Sequence, residues 1–332
     1  MHHSAGVIGA SGYSGIELTR LLLGHPGVRL AFVTSDRWVG QRISSKTGLA
    51  SELPYVSNEQ GLSAAKGCDV VFLATPAETS LELAPKLRAL GVRVVDLAGS
   101  FRLQDLSKYP AFYRFEHTSP ALVKEAVYGM PELFREKIRG AQFVSNPGCY
   151  ATAAALSVAP LLKAGLIEPT SIVINAASGV SGAGRKASEE FTFMEIDSDF
   201  RAYRTLKHQH IPEIEQTLGV KLVFTPHLLP MKRGILSTAV ARLKSGVTQA
   251  QVNEAFVAAF GTEPMIKLLP SADSVRIAEV AKTPFCLIGA SCDETHVVSV
   301  SAIDNLLKGA ASQAVQNFNL MLGHQEATGL IL

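Results

Sequence analysis

Over the first 148 residues the apolar positions come in short β-branched runs separated by stretches with helical spacing, the alternation of a parallel sheet covered on both faces. Val7-Ile8-Gly9 closes one run, and Ser14 to Leu23 (SGIELTRLLL) has the amphipathic spacing of a helix, stopped by Gly24-His25-Pro26. Leu30 to Thr34 predicts a second strand. Asp69 to Ala74 (DVVFLA), a helix from about Thr79 to Leu90, the strand Arg93 to Leu97 and, after a long irregular stretch, Gln142 to Ser145 continue the series. Such a series predicts a doubly wound, dinucleotide-type lobe. From Ser171 onward the texture changes. SIVINAAS, KLVFTP, ILSTAVARL, FCLIGAS and HVVSVSAI read as strands with few helices between them, which predicts a mixed, largely antiparallel sheet. A covering helix over 248–260 takes Thr248 as its N-cap, and a last amphipathic helix runs from Asp304 to Leu322, with Leu306, Leu307, Ala310, Ala314, Val315 and Phe318 on one face.

Length supports two lobes, because 332 residues exceed the about 250–300 at which single cores stop growing. A formal net charge of +2 creates no field that would collect nucleic acid or anionic lipid, so the expected partner is a small molecule. No apolar run approaches the roughly 20 residues of a membrane-spanning helix, and MHHSAGVIGA enters a strand too soon for a signal peptide. The cysteines, Cys68, Cys149, Cys286 and Cys292, form neither a dense disulfide framework nor a Cys-x-x-Cys pair, which predicts a reducing, cytoplasmic setting.

Chemistry concentrates in a few segments. Gly9-Ala10-Ser11-Gly12-Tyr13-Ser14-Gly15 follows a strand and opens a helix, where backbone amides and the positive helix end can hold a pyrophosphate. Its Gly-x-x-Gly-x-x-Gly spacing differs from Gly-x-Gly-x-x-Gly, so a tight turn without ligand is the competing reading. After the second strand, Asp36 suits a ribose diol, whereas Ser35 and Arg37 suit a 2′-phosphate; the balance favours NADP, against a solvated loop for Arg37. In SNPGCYATAAAL, Cys149 stands at a predicted helix start, where the macrodipole favours a thiolate and the amides of Cys149 and Tyr150 would receive an oxyanion. A buried packing cysteine fits that position equally well. The other three cysteines read as packing residues.

A cysteine nucleophile needs a base. Lys207-His208-Gln209-His210-Ile211-Pro212-Glu213 offers two histidines and a carboxylate to orient one ring; with no third ligand nearby, a metal site is disfavoured. His227 is a lesser candidate. Two further loops, Ser178-Gly179-Val180-Ser181-Gly182-Ala183-Gly184-Arg185 and Ser100-Phe101-Arg102, are plausible cradles for phosphate or carboxylate, with an ordinary turn as the alternative for each.

Taken together, GASGYSG, SNPGCYAT, ASGVSGAGRKA, KHQHIPEI, FTPHLLPMKRGIL and AIDNLLKGAASQAVQN, in this order and nearly end to end, resemble the N-acetyl-γ-glutamyl-phosphate reductases, the arginine-biosynthesis members of the aspartate-semialdehyde dehydrogenase-like superfamily. The resemblance implies an α/β chain with a Rossmann domain of residues 1–148 and 305–332 and a catalytic, substrate-binding and oligomerisation domain of residues 149–304. It further implies NADPH-dependent reduction of an acyl phosphate to an aldehyde, through a thioester on Cys149, in a homodimer or homotetramer. By motif, His210 assists proton transfer with Glu213 orienting it, and His208 lies nearer the substrate. Arg102, Ser181 and Arg185 hold substrate; Gly9, Ser11, Gly12, Tyr13, Ser14, Gly15, Ser35, Arg37, Ser178, Gly179, Gly182 and Asn305 hold cofactor. The chain departs from its relatives at Ala151, where proline is usual, at Ser100, where aspartate is common, and at Ala77-Glu78, where a histidine is frequent. Two alternatives stand beside this reading: a sister reductase acting on an aminoadipyl or aspartyl phosphate, and a dinucleotide-binding regulator that has lost its chemistry.

Overall fold

A computed structural model describes residues 2–185 and 188–330. In chain order the strands are β1 His3–Ile8, β2 Val28–Thr34, β3 Tyr55–Val56, β4 Val70–Leu73, β5 Arg93–Asp96, β6 Val127–Tyr128, β7 Phe143–Ser145, β8 Val173–Gly179, β9 Arg201–Ala202, β10 Val223–Leu229, β11 Ile235–Arg242, β12 Ile266–Leu268, β13 Cys286–Cys292 and β14 His296–Ile303. The helices are α1 Tyr13–Leu23, α2 Ile43–Thr47, α3 Asn58–Ala65, α4 Ala77–Ala89, α5 Tyr109–Tyr113, α6 Pro120–Glu125, α7 Pro131–Ile138, α8 Cys149–Lys163, α9 Phe193–Ile196, α10 Ile211–Leu218, α11 Gln249–Phe260 and α12 Ser312–Met321.

The chain divides into two units, residues 1–147 with 310–332 and residues 148–309. The first is built on a seven-stranded sheet of order β3-β2-β1-β4-β5-β7-β6, parallel throughout. Its central strands are continuous apolar runs because both faces are covered; Val70, Val71, Phe72 and Leu73 are all buried. Helix α12 is buried along its whole length and packs on α1 and α7. Its amide side chains bond to neighbouring elements instead of water: Asn317 donates to the carbonyl of Gly129 at 2.8 Å and to Oδ1 of Asn146 at 2.9 Å.

The second unit holds a seven-stranded mixed sheet of order β12-β13-β14-β11-β8-β10-β9, in which only the β12–β13 and β8–β10 pairs are parallel. Helix α8 lies along β11 and β14 and receives their alternate residues, Ile235, Ser237, Ala239 and Ala241 among them. Thr248 caps α11 as expected, in a capping box with Gln251.

Two expectations change. The last helix does not start at Asp304: a turn and a wide helical turn, Leu307–Ala311, come first, because the Asp304 carboxylate captures the amides of Leu306 and Leu307. The chain also returns to the first unit at 309/310 and not at 304/305. Asn305 stays with the second, accepting the amide of Gly234 at 2.8 Å and donating to Oγ of Ser181 at 3.0 Å.

At the end of β5, Asp96 is fully buried, and burial pushes its carboxyl up to about 6 against the pull of Ser80, the Ala98 amide and Arg102. Between the ordinary value and about 6 the native carboxyl keeps a proton that the unfolded chain has given up, so stability falls as pH rises through that window. A difference of roughly 2 in pKa corresponds to about 3 kcal/mol. Asp96→Asn should therefore raise the thermal midpoint relative to the parent more at pH 7.5 than at pH 4.5. An offset that stays constant across scanning calorimetry at the two pH values would refute this.

Candidate active site

Cys149 is the first residue of α8, with Gly148 as N-cap in an extended conformation. Thr152 is the first to donate back along the helix, to the carbonyl of Gly148 at 2.9 Å, so the amides of the first turn point out of the helix end beside the thiol. That end carries the positive pole of a helix of 15 residues. The stretch ahead of it is anchored in the first unit. Asn146 receives Asn317, its amide donates to the Asp96 carbonyl at 2.7 Å, and its carbonyl accepts Nε of Arg102 at 2.8 Å.

The histidine pair lies in the same unit as the cysteine. An added Cβ at Gly148 would overlap the imidazole of His210, so that ring packs directly on the residue preceding Cys149. Only glycine leaves the ring this close. His208 and His210 meet edge to face with centroids 4.7 Å apart, and Nδ1 of His208 accepts the backbone amide of His210 at 3.1 Å. Burial first, then the neighbouring His210 and Arg204, pushes His208 down to about 2, against the pull of Glu213. His208 is thus neutral, with its proton on Nε2. Glu213, in the first turn of α10, accepts the amide of Gly148 at 2.7 Å. Where the sequence predicts a carboxylate orienting a histidine, this bond secures the backbone that carries the thiol.

The hydroxyls of two tyrosines escaped the sequence reading, which used only the amide of Tyr150. Tyr150 donates to the carbonyl of His227 at 3.0 Å, and Tyr203 donates to Tyr150 at 3.2 Å. Burial pushes Tyr203 up to about 12 and Tyr150 higher still, so both remain hydroxyls. Nothing in the spacing of Tyr203 marked it. His227 itself stacks its ring on Phe200, with centroids 5.2 Å apart.

The remaining expected residues divide by unit. In the first, Arg102 commits Nε to Asn146 and Nη2 to the carbonyl of Leu97 at 2.7 Å, so it ties strand ends together. In the second, the loop after β8 is less of an anion cradle than its glycines suggested. The amides of Gly179, Val180 and Ser181 donate to the carbonyls of Gly234, Met231 and Lys232. Gly179 is required because an added Cβ would stand 2.7 Å from the amide nitrogen of Arg233. Ser178 is buried, while Gly182 and Arg185 are exposed; the Lys186-Ala187 end of that motif lies outside the described residues.

The glycine loop of the first unit fits a dinucleotide, and each glycine has its own reason. Gly9 has φ +87° and would press a Cβ 2.6 Å from the carbonyl oxygen of Ala74. Gly15 lets α1 pack on the loop, where a Cβ would stand 2.8 Å from Cα of Ala10. At Gly12, the N-cap of α1, an added Cβ would find no atom nearer than 3.7 Å, leaving clear ground for a phosphate over the helix end. Ser14 is half-buried in the first turn and Tyr13 partly exposed. Ser35 donates to Oγ of Ser11 at 2.8 Å, joining the end of β2 to this loop. Asp36 is engaged: its carboxylate accepts the amide and Nδ2 of Asn58 at 2.9 and 2.7 Å. Arg37 is exposed.

No helix among the described residues is long and apolar enough to cross a membrane. Comparison with known families matches residues 4–141 to the semialdehyde dehydrogenase NAD binding domain and residues 149–305 to the semialdehyde dehydrogenase dimerisation domain. Among curated proteins, the chain is 44% identical to the N-acetyl-gamma-glutamyl-phosphate reductase of Symbiobacterium thermophilum, over 98% of this chain and 97% of the relative. It is 43% identical to the protein of the same name from Magnetococcus marinus, over 98% and 96%. Among solved structures, aspartate semialdehyde dehydrogenase II of Vibrio cholerae shares the fold, with a TM-score of 0.76, 18% identity and coverage of 97% and 99%.

Proposed function

The chain belongs to the N-acetyl-gamma-glutamyl-phosphate reductase family, and from that premise we propose that its reaction runs through Cys149, with His210 as the proton-transfer group. It is an oxidoreductase that uses a nicotinamide dinucleotide to reduce N-acetyl-γ-glutamyl phosphate, a step of arginine biosynthesis. One observation carries the assignment of the site: the imidazole of His210 is packed on Gly148, next to a cysteine that opens a helix.

Sγ of Cys149 attacks the acyl carbon, phosphate leaves, and a thioester forms on the protein. The amides of the first turn of α8 receive the oxyanion of the tetrahedral stage. The dinucleotide, when bound, supplies the hydride that takes the thioester to a hemithioacetal. His210 moves the proton as the aldehyde departs and the thiol is restored. His208 is held neutral and donates from Nε2 toward the substrate side of the pair. Ser181 and Arg185 serve substrate anions, and Ser178, Gly179, Gly182 and Asn305 keep the β8 loop rigid.

The cofactor is NADPH, because Asp36 spends both carboxylate oxygens on Asn58 while Arg37 stays exposed beside Ser35 to meet a 2′-phosphate. Losing that charge-assisted contact is worth roughly 10- to 100-fold. Arg37→Ala should raise KM for NADPH by about that factor and leave KM for NADH nearly unchanged; equal effects on both would remove Arg37 from this role. The assembly is a homodimer through the β8–β10 part of the second sheet, where Val173 and Val223 are exposed. The decisive experiment is the reverse reaction. N-acetylglutamate semialdehyde should reduce NADP only when inorganic phosphate is present, and faster than the semialdehydes of aspartate or aminoadipate. No phosphate dependence would end the proposal, and a preference for either other semialdehyde would assign the chain to a sister reaction.

A further inference from the structure

We propose that Gly309 is a positioning residue for the Cys149 thiol, its bare Cα being the surface on which Cys149 is seated. A Cβ added there would stand 2.7 Å from Cβ of Cys149, 3.3 Å from its Cα and 3.3 Å from Cδ1 of Ile303. Carbon atoms do not approach that closely without displacement, so a side chain at 309 must move either its own backbone or the cysteine.

Its own backbone is firmly held. The amide of Gly309 donates to the carbonyl of Asp304 at 2.9 Å, an i to i−5 bond that opens the wide turn Leu307–Ala311. The Asp304 carboxylate is fully buried. One oxygen accepts Nη2 of Arg233 and the amide of Leu306, each at 2.9 Å, and the amide of Leu307 at 3.2 Å. The other accepts the amide of Lys282 at 2.6 Å and lies 2.8 Å from Nε of Arg233. Shifting a buried carboxylate with so many donors would leave charge uncompensated. The cysteine is therefore the part that gives. Two glycines border it: Gly148, on which the imidazole of His210 packs, and Gly309, on which Cys149 itself packs. A misplacement near 1 Å at the reacting atom costs about 10²-fold in rate.

This inference rests on Cys149 being the nucleophile, and the test separates the two. In the full-length protein, Gly309→Ala should lower kcat by about 10²-fold while KM for NADPH changes less than about twofold. The pH profile of Cys149 alkylation by iodoacetamide should move to higher pH, as the sulfur leaves its place at the helix end. Parent-like kcat and an unmoved profile in Gly309→Ala, with Cys149→Ser inactive, overturn the role of Gly309. An active Cys149→Ser overturns the nucleophile assignment instead. Should the alanine variant fail to fold, Asp304→Asn loosens the same turn without adding a side chain at 309. It should move the alkylation profile in the same direction with KM for NADPH unchanged, and an unmoved profile there also overturns the inference.

Discussion

Cys149→Ser should leave a folded protein that still binds dinucleotide and lowers kcat on the order of 10⁴-fold. The exchange nearly preserves size, and the first turn of α8 keeps its backbone bonds, including Thr152 to Gly148 and Gly148 to Glu213. What changes is the reactive form. A thiol at a helix N-terminus is readily ionised near neutral pH, whereas a hydroxyl is not, and the ester it forms accepts hydride less readily than a thioester. Rapid mixing with the semialdehyde, NADP and phosphate would read the result directly. Retention of more than about 1% of the parent rate, well above the loss expected for a missing nucleophile, would show that the sulfur is not the attacking atom.

His210→Asn should cost about 10²- to 10⁴-fold in kcat and remove a limb of its pH profile. The side chain that faces Gly148 would keep a polar group but lose the ability to take up and release a proton. His208→Gln makes the informative comparison. Because burial already pushes His208 down to about 2, its charge does not change over the working range, and no limb of the profile belongs to it. Its replacement should lower kcat through lost support for the His210 backbone and leave the shape of the profile alone. If His208→Gln removes the limb and His210→Asn does not, the roles of the two histidines are reversed.

Much of the architecture was legible along the chain. HVVSVSAI runs over the bounds of β14, and Thr248 caps α11, because strand alternation and cap chemistry are local properties. The glycine loop was legible for the same reason, and its unusual spacing does not matter, since Gly9 and Gly15 answer separate steric demands and Gly12 leaves the helix end open. Legibility failed where a residue answers to something distant in sequence. Arg102 looked like an anion receptor and instead bonds carbonyls at Leu97 and Asn146; the glycines after β8 looked like a phosphate cradle and instead admit the backbone of residues 231–234. The last helix followed its apolar spacing too far toward the N-terminus, because that spacing contains nothing of the Arg233–Asp304 pair.

The sequence by itself determined the two lobes, the loop that suits a dinucleotide, the cysteine at a helix start and the family, since periodicity, caps and ordered motifs are written in consecutive residues. Tertiary structure alone decided which histidine lies against Gly148, that Glu213 holds the Gly148 amide, that Asp36 is spent on Asn58, and that Gly309 abuts Cys149. Those are contacts across tens to hundreds of residues. Packing selects them, and a close approach between two backbones leaves no mark in either segment except a missing side chain.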